Sequence, residues 1–224
     1  MIPWEEIDRA EISGQEGEVT LLKRGTEFSI RTAGTELMNS RLHGSEGALA
    51  ELTCSRMKRK SGLRFLIGGL GMGYTLAAAL EQSEADTRIT VSELIPAVVR
   101  WNREHLGHLT GIPLNDPRVS VQEEDVAETI RNRTSAWDAI LLDVDNGPDG
   151  LTRKANDRLY GRSGLETSFL ALHPGGILAV WSSGADEAFT RRLKQCGFQT
   201  ETVTVRARKP GKGGRRTIWL AGKP

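Results

Sequence analysis

The sequence predicts an α/β chain in which a mostly parallel sheet is covered by helices on both faces and preceded by a small β-module. Two observations carry that reading. From Leu63 onward, apolar runs of strand length alternate with amphipathic stretches of helical period. Before about residue 60, short alternating segments break at glycines instead, as hairpins do. The division expected is therefore a small β-hairpin and helix module over 1–60 and a larger α/β domain over 61–224.

In the module, Glu18 to Arg24 and Glu27 to Arg31 alternate around the turn at Gly25, and Gly34 marks the next break. Apolar residues from Ala48 to Met57 then take helical spacing until Lys58-Arg59-Lys60-Ser61-Gly62 ends the helix. Five buried-strand runs follow, at 64–67, 88–91, 119–121, 139–142 and 177–181. Helical candidates fall between and after them at 72–82, 96–108, 124–133, 163–172 and 186–196. The tail, with runs at 201–205 and 217–221, reads as a closing antiparallel hairpin whose loop holds Arg208, Lys209, Lys212, Arg215 and Arg216.

Composition excludes several classes of function. Hydrophobic residues at 38% and charged residues at 26% are those of a globular chain, not a disordered one. The 30 basic and 29 acidic side chains leave a net charge of +1, so no global field marks a polyanion binder. Apolar runs such as Ile177 to Trp181 are far shorter than the roughly 20 residues of a membrane helix. The amino terminus lacks the basic-then-apolar pattern of a secretory signal, so the expected compartment is the cytoplasm. Cys54 and Cys196 stand alone, without the spacing of a metal site, so no metal is expected.

The strongest local signal is Ile67-Gly68-Gly69-Leu70-Gly71-Met72-Gly73, which follows the first sheet strand and opens a helix. Glycines let the backbone approach a ligand closely, and the helix amino terminus presents free N–H groups. Glu93 ends the second strand about 20 residues later, where a carboxylate can take both ribose hydroxyls. Asp125 follows the third strand, where it can meet an adenine amino group or simply cap the next helix. The loop is not the Gly-x-Gly-x-x-Gly of pyrophosphate sites and has no neighbouring Lys or Arg, which points to an adenosine carrying a sulfonium chain.

With the closing hairpin and the segment Leu172 to Leu178, this pattern resembles class I S-adenosylmethionine-dependent transferases: a Rossmann-like, seven-stranded, mostly parallel sheet. Within that superfamily the chain resembles the spermidine synthase-like group over nearly its whole length. The N-terminal β-module, the glycine loop, Glu93, Asp125 and the aspartates after the fourth strand carry the likeness. Members move an aminopropyl unit from decarboxylated S-adenosylmethionine to an amine, and a strand-four aspartate helps deprotonate that amine. The matching segment is Leu141 to Pro148, and the resemblance assigns the catalytic role to Asp143. A carboxylate there suits the chemistry, since an ammonium must lose a proton before its nitrogen can attack carbon.

The departures are specific. Gly71 stands where these synthases carry an Asp that contacts the aminopropyl ammonium, and Asn146 replaces their second active-site Asp. Ser45 to Glu51 corresponds to their Asp-Glu-x-x-Tyr-His-Glu motif, keeping Glu46 and Glu51 but placing Leu49 at the Tyr. Substrate contacts are expected from Asp145, Asn146, Glu46, Glu51, His43 and Tyr160, the last on the segment after the fourth strand that would cover the acceptor, with a plain loop role as the alternative for His43. Trp181 lines the pocket or belongs to the core.

The leading function is transfer of an aminopropyl or other alkyl group to an amine, from S-adenosylmethionine or its decarboxylated form. Methylthioadenosine or S-adenosylhomocysteine would be the by-product. Methyl transfer to a small acceptor is the rival within the class, and a non-catalytic nucleoside-binding or interaction protein the rival outside it. The resemblance implies a homodimer through the N-terminal module. The basic tail loop, glycine-rich and without interleaved aromatics, reads as a solvated loop and not as a nucleic-acid site.

Overall fold

In the computed structural model, which describes residues 2–12, 17–144, 147–148, 158–208 and 212–224, the first forty residues form a four-stranded antiparallel meander. Its strands are β1 (Glu5–Glu11), β2 (Glu18–Arg24), β3 (Glu27–Thr32) and β4 (Thr35–Asn39), in that spatial order. The β2–β3 hairpin matches the sequence pattern, because Val19, Leu21, Phe28 and Ile30 all point into the core. The two outer strands do not announce themselves. A bulge between Glu6 and Asp8 breaks the period of two in β1, so its inward residues Ile7, Ala10 and Ile12 are unevenly spaced. A second irregularity opposite Ile30 turns both Leu37 and Met38 of β4 toward the core. The β3–β4 turn places Ala33 and Gly34 at φ of 47° and 77°, the type I′ pattern that suits a two-residue hairpin.

Helix α1 (Gly44–Arg56) leads into a seven-stranded sheet of order β10-β11-β9-β8-β5-β6-β7. Its strands are β5 (Arg64–Gly68), β6 (Arg88–Ser92), β7 (Val119–Gln122), β8 (Trp137–Leu142), β9 (Leu172–Ser182), β10 (Gln199–Arg208) and β11 (Lys212–Gly222). The first five run parallel, while β11 and β10 close the sheet antiparallel. Strand alternation divides the core. Phe65, Ile67, Leu141 and Ala179 face α1, α2 (Tyr74–Gln82) and α3 (Pro96–Trp101). Leu66, Ile140, Leu142 and Val180 face α4 (Val126–Ile130), α5 (Arg162–Ala171) and α6 (Glu187–Gln195).

Three local details differ from the sequence expectation. The helix expected over 96–108 is α-helical only to Trp101 and continues as a π-turn (Asn102–Leu106) and a short 3-10 turn (Gly107–Leu109). The hairpin strands β10 and β11 are longer than their apolar runs, so Arg215 and Arg216 lie in β11 and not in the loop. The tip, 209–211, lies outside the described residues. Helix α4 is short because its C-cap Arg131 already takes an extended ψ of 142°, and Asn132 follows at a φ of 58°. Among the described residues no helix is long and apolar enough to cross a membrane.

The meander docks on α3 through Asp8, whose carboxylate accepts from the indole Nε1 of buried Trp101 at 2.6 Å and from Arg100 at 2.5 Å. Those two donors hold the Asp8 carboxyl down at about 2. The core cluster that includes Val19 and Leu21 of the meander runs without interruption into that of α1, α2 and the sheet.

Candidate active site

Strand β5 is flanked by β6 on one side and β8 on the other, so the chain leaves it in opposite directions and opens a crevice at the carboxyl ends. The glycine loop lies there. Gly69, Gly71 and Gly73 take φ of 87°, 52° and 83°, a region that costs other residues strain. Gly69 has no alternative, because a Cβ on it would be driven into the carbonyl oxygen of Asp143. The loop is held from beneath by Asn102 of the π-turn, whose Nδ2 donates to the Gly71 carbonyl at 2.8 Å and to that of Val98 at 2.9 Å. A π-turn at such a place is a frequent mark of a functional site.

Glu93 follows the last residue of β6 and folds back under the loop. Its Oε2 accepts from the Leu70 N–H at 2.8 Å and its Oε1 from the Ile95 N–H at 2.9 Å. Burial pushes its carboxyl up against those donors. The backbone N–H groups of Gly71 and Leu94 oppose that rise as well, so the chain itself holds the carboxylate from several sides. Asp125 caps α4, with Oδ1 accepting from the Ala127 N–H at 2.9 Å, and its Oδ2 lies 4.0 Å from Arg158. The cap occupies one oxygen and leaves the other at the crevice.

The second half of the site is built from side chains of separate elements. Asp143, one residue past β8, shares the parity of Ala139 and Leu141 and so turns toward α1 and α2. The Thr75 hydroxyl in the first turn of α2 lies 2.7 Å from Asp143 Oδ2 and 3.2 Å from the Glu46 carbonyl oxygen. It has one hydrogen and can donate to only one of them at a time. Glu46, in the first turn of α1, is buried and takes the Ser45 hydroxyl on Oε2 at 2.6 Å. Burial pushes both carboxyls above their ordinary range, and the negative charge of Asp143 raises Glu46 further. Such a pair favours one shared proton over two charges.

Around this pair stand Tyr74, Trp181 and Arg216. Tyr74 stacks on His43 with ring centroids 4.0 Å apart, and burial and the charge of Glu46 push its hydroxyl up to about 12. Trp181 follows Val180, which pairs with Leu142 in the β8–β9 ladder, so it comes beside Asp143 on the same face. It is 9% exposed, and among the described residues its indole Nε1 has no hydrogen-bond partner. The Arg216 guanidinium sits 5.8 Å from the Trp181 ring and its charge favours the ionised form of Glu46.

The residues expected from sequence thus divide. Gly69, Gly71, Gly73, Glu93 and Asp125 gather along the β5–β6–β7 ends, while Glu46, His43 and Asp143 meet between α1, α2 and β8. Glu51 lies farther along α1, half-buried and beside Gly47. Tyr160 is a correction: its ring is buried on the opposite face of the sheet, edge-on to Phe189 at 5.8 Å, where apolar area outweighs the gain of lining a wet crevice. Asp145 and Asn146 lie outside the described residues. Sequence reasoning missed Thr75, Asn102 and Met38. Asn102 does leave a trace, being a polar residue on the apolar face of a predicted helix.

Comparison with known proteins reproduces this arrangement at the level of the fold. The spermidine synthase of Thermotoga maritima superposes with a TM-score of 0.77 at 17% identity, covering 98% of this chain and 73% of that one. A spermidine synthase in complex with the transition-state analogue AdoDATO gives 0.75 at 16% identity, covering 98% and 72%. The fold is that of the spermidine synthases. In sequence, Polyamine aminopropyltransferase 2 of Pseudomonas aeruginosa is 32% identical over 119 residues, which is 51% of this chain and 32% of that protein. The match therefore spans about a third of that transferase's length. No protein-family model matches the sequence. On the spermidine synthase fold seen here, the glycine loop, Glu93, Asp125 and Asp143 all stand at the carboxyl ends of the parallel strands.

Proposed function

We propose that this chain is a transferase that binds an S-adenosylmethionine-type nucleoside and moves an aminopropyl or other alkyl group to an amine. The observation that carries the reading is the buried Glu46–Asp143 pair, with Gly69 of the glycine loop packed directly on the Asp143 carbonyl. The names of the relatives, spermidine synthases and a polyamine aminopropyltransferase, support the aminopropyl form.

The cradle fits such a nucleoside. Backbone at the glycine loop approaches without side chains, Glu93 presents its carboxylate at the end of β6 to a ribose, and Asp125 offers one oxygen to an adenine amino group. The nucleoside would supply an electrophilic carbon on its sulfonium, leaving as a thioether once the amine has bonded to that carbon. Asp143 takes the proton that the ammonium must lose, and its raised carboxyl is matched to that task near neutral pH. Thr75 orients the Asp143 carboxylate, and Glu46 holds the acceptor's remaining charge.

The test is incubation of the purified chain with S-adenosylmethionine or its decarboxylated form and a panel of amines. Methylthioadenosine and S-adenosylhomocysteine are read as by-products. One of the two is expected, and Asp143→Asn should lower its rate by about 10²- to 10⁴-fold with nucleoside affinity intact. Nucleoside binding without either by-product would favour the non-catalytic reading.

A further inference from the structure

The N-terminal meander reaches the glycine loop through one side chain. Met38 of β4 places its thioether against the loop, where Sδ accepts from the Met72 N–H at 3.1 Å. The same sulfur fills the space a side chain at position 71 would take: a Cβ on Gly71 would lie 2.8 Å from Met38 Sδ and 3.3 Å from its Cε. Two consecutive residues of the loop are thus covered by a neutral, polarizable group contributed from 34 residues away.

We infer that Met38 is a specificity-determining residue for the donor, selecting a sulfonium nucleoside whose tail carries its own carboxylate over one whose tail ends in a bare ammonium. The inference rests on the nucleoside reading of the site. Glu93 accepts from the Leu70 N–H, so a ribose held on Glu93 would lie one residue from Gly71, within reach of a tail directed along the loop. A thioether is a good neighbour for a sulfonium, because it is polarizable and carries no opposing charge. It offers nothing to a second cation. An amino-acid tail is zwitterionic and brings its own counter-charge to that wall, whereas an aminopropyl tail places an ammonium on it uncompensated. S-adenosylmethionine itself is then the donor, so within the proposed alkyl transfer the group moved is one of its own and not the aminopropyl unit the relatives' names suggest, and Met38 is the group that distinguishes it from the decarboxylated form.

Calorimetric affinities for S-adenosylmethionine and decarboxylated S-adenosylmethionine, measured on the wild type, Met38→Leu and Met38→Glu, test this. The wild type should bind the parent compound about tenfold more tightly, a difference of about 1.4 kcal/mol. Met38→Leu, which keeps a neutral wall, should keep that order. Met38→Glu leaves Gly71 untouched and sets a carboxylate within reach of the Met72 N–H, so the preference should move at least about tenfold toward the decarboxylated form. A wild type that prefers the decarboxylated form overturns the inference, as does an unchanged ratio in a Met38→Glu protein whose melting shows it folded. If Met38→Glu does not fold, the wild-type ratio decides alone. A wild type that binds neither compound overturns the nucleoside reading itself, a result that no change of ratio can imitate.

Discussion

The two halves of the crevice are built in different ways. The half formed by the glycine loop, Glu93 and Asp125 is made of turns after three strands that are consecutive along the chain, and its contacts are largely to backbone. The half around Asp143 is made of single side chains from α1, α2, β8, β9 and β11, brought together only by the finished sheet. The glycine turns themselves are rigid and carry no ionisable group. Side-chain sites are tunable, and here the tuning is a pair of carboxyls held away from their ordinary range. The difference teaches where each half can be broken.

The largest effect is expected at Gly69→Ala. The new Cβ meets the Asp143 backbone, which cannot rotate away, at a φ of 87° that alanine resists. A loss of about 3 kcal/mol or more follows from strain and overlap together, with nucleoside binding abolished. Urea unfolding and calorimetry read both, and a variant with wild-type stability would show that the loop has room the geometry denies it. Next comes Asn102→Ala, which frees the Gly71 and Val98 carbonyls and leaves a small void beneath the loop. About 2 kcal/mol should be lost at every pH, because no ionisable group is involved.

The same contrast explains what was legible in the sequence. Residues 67–73, Glu93 and Asp125 could be found because the spacing of glycines and acids along βα units maps directly onto neighbouring strand ends. The runs of β5, β8 and β9 were legible because both faces are buried and the runs are continuously apolar, and those of β6 and β7 because they are rich in β-branched residues. Strands β1 and β4 were not, since a bulge in one and an irregular pairing in the other destroy the alternation by which strands are recognised. Thr75, Met38 and Arg216 were hidden for another reason. Their partners lie 68, 34 and some 170 residues away, and no local pattern marks a residue whose role depends on such a contact.

The smallest effect sharpens the comparison most, because its sign is opposite. Glu46 has its carboxyl raised above the ordinary 4.5, so the folded protein holds a proton that the unfolded chain has already released. Stability therefore falls as pH rises from about 4.5 through the folded value, and the deficit is complete above it. Glu46→Gln removes the charge while its amide oxygen can still accept from the Ser45 hydroxyl. The variant should match the wild type near pH 4 and exceed it by about 1 kcal/mol near pH 8. Urea unfolding of the two proteins at both pH values reads the gap directly. A gap that stays constant with pH would mean that Glu46 is not held protonated beside Asp143, and the acceptor half would then be no more tunable than the glycine loop.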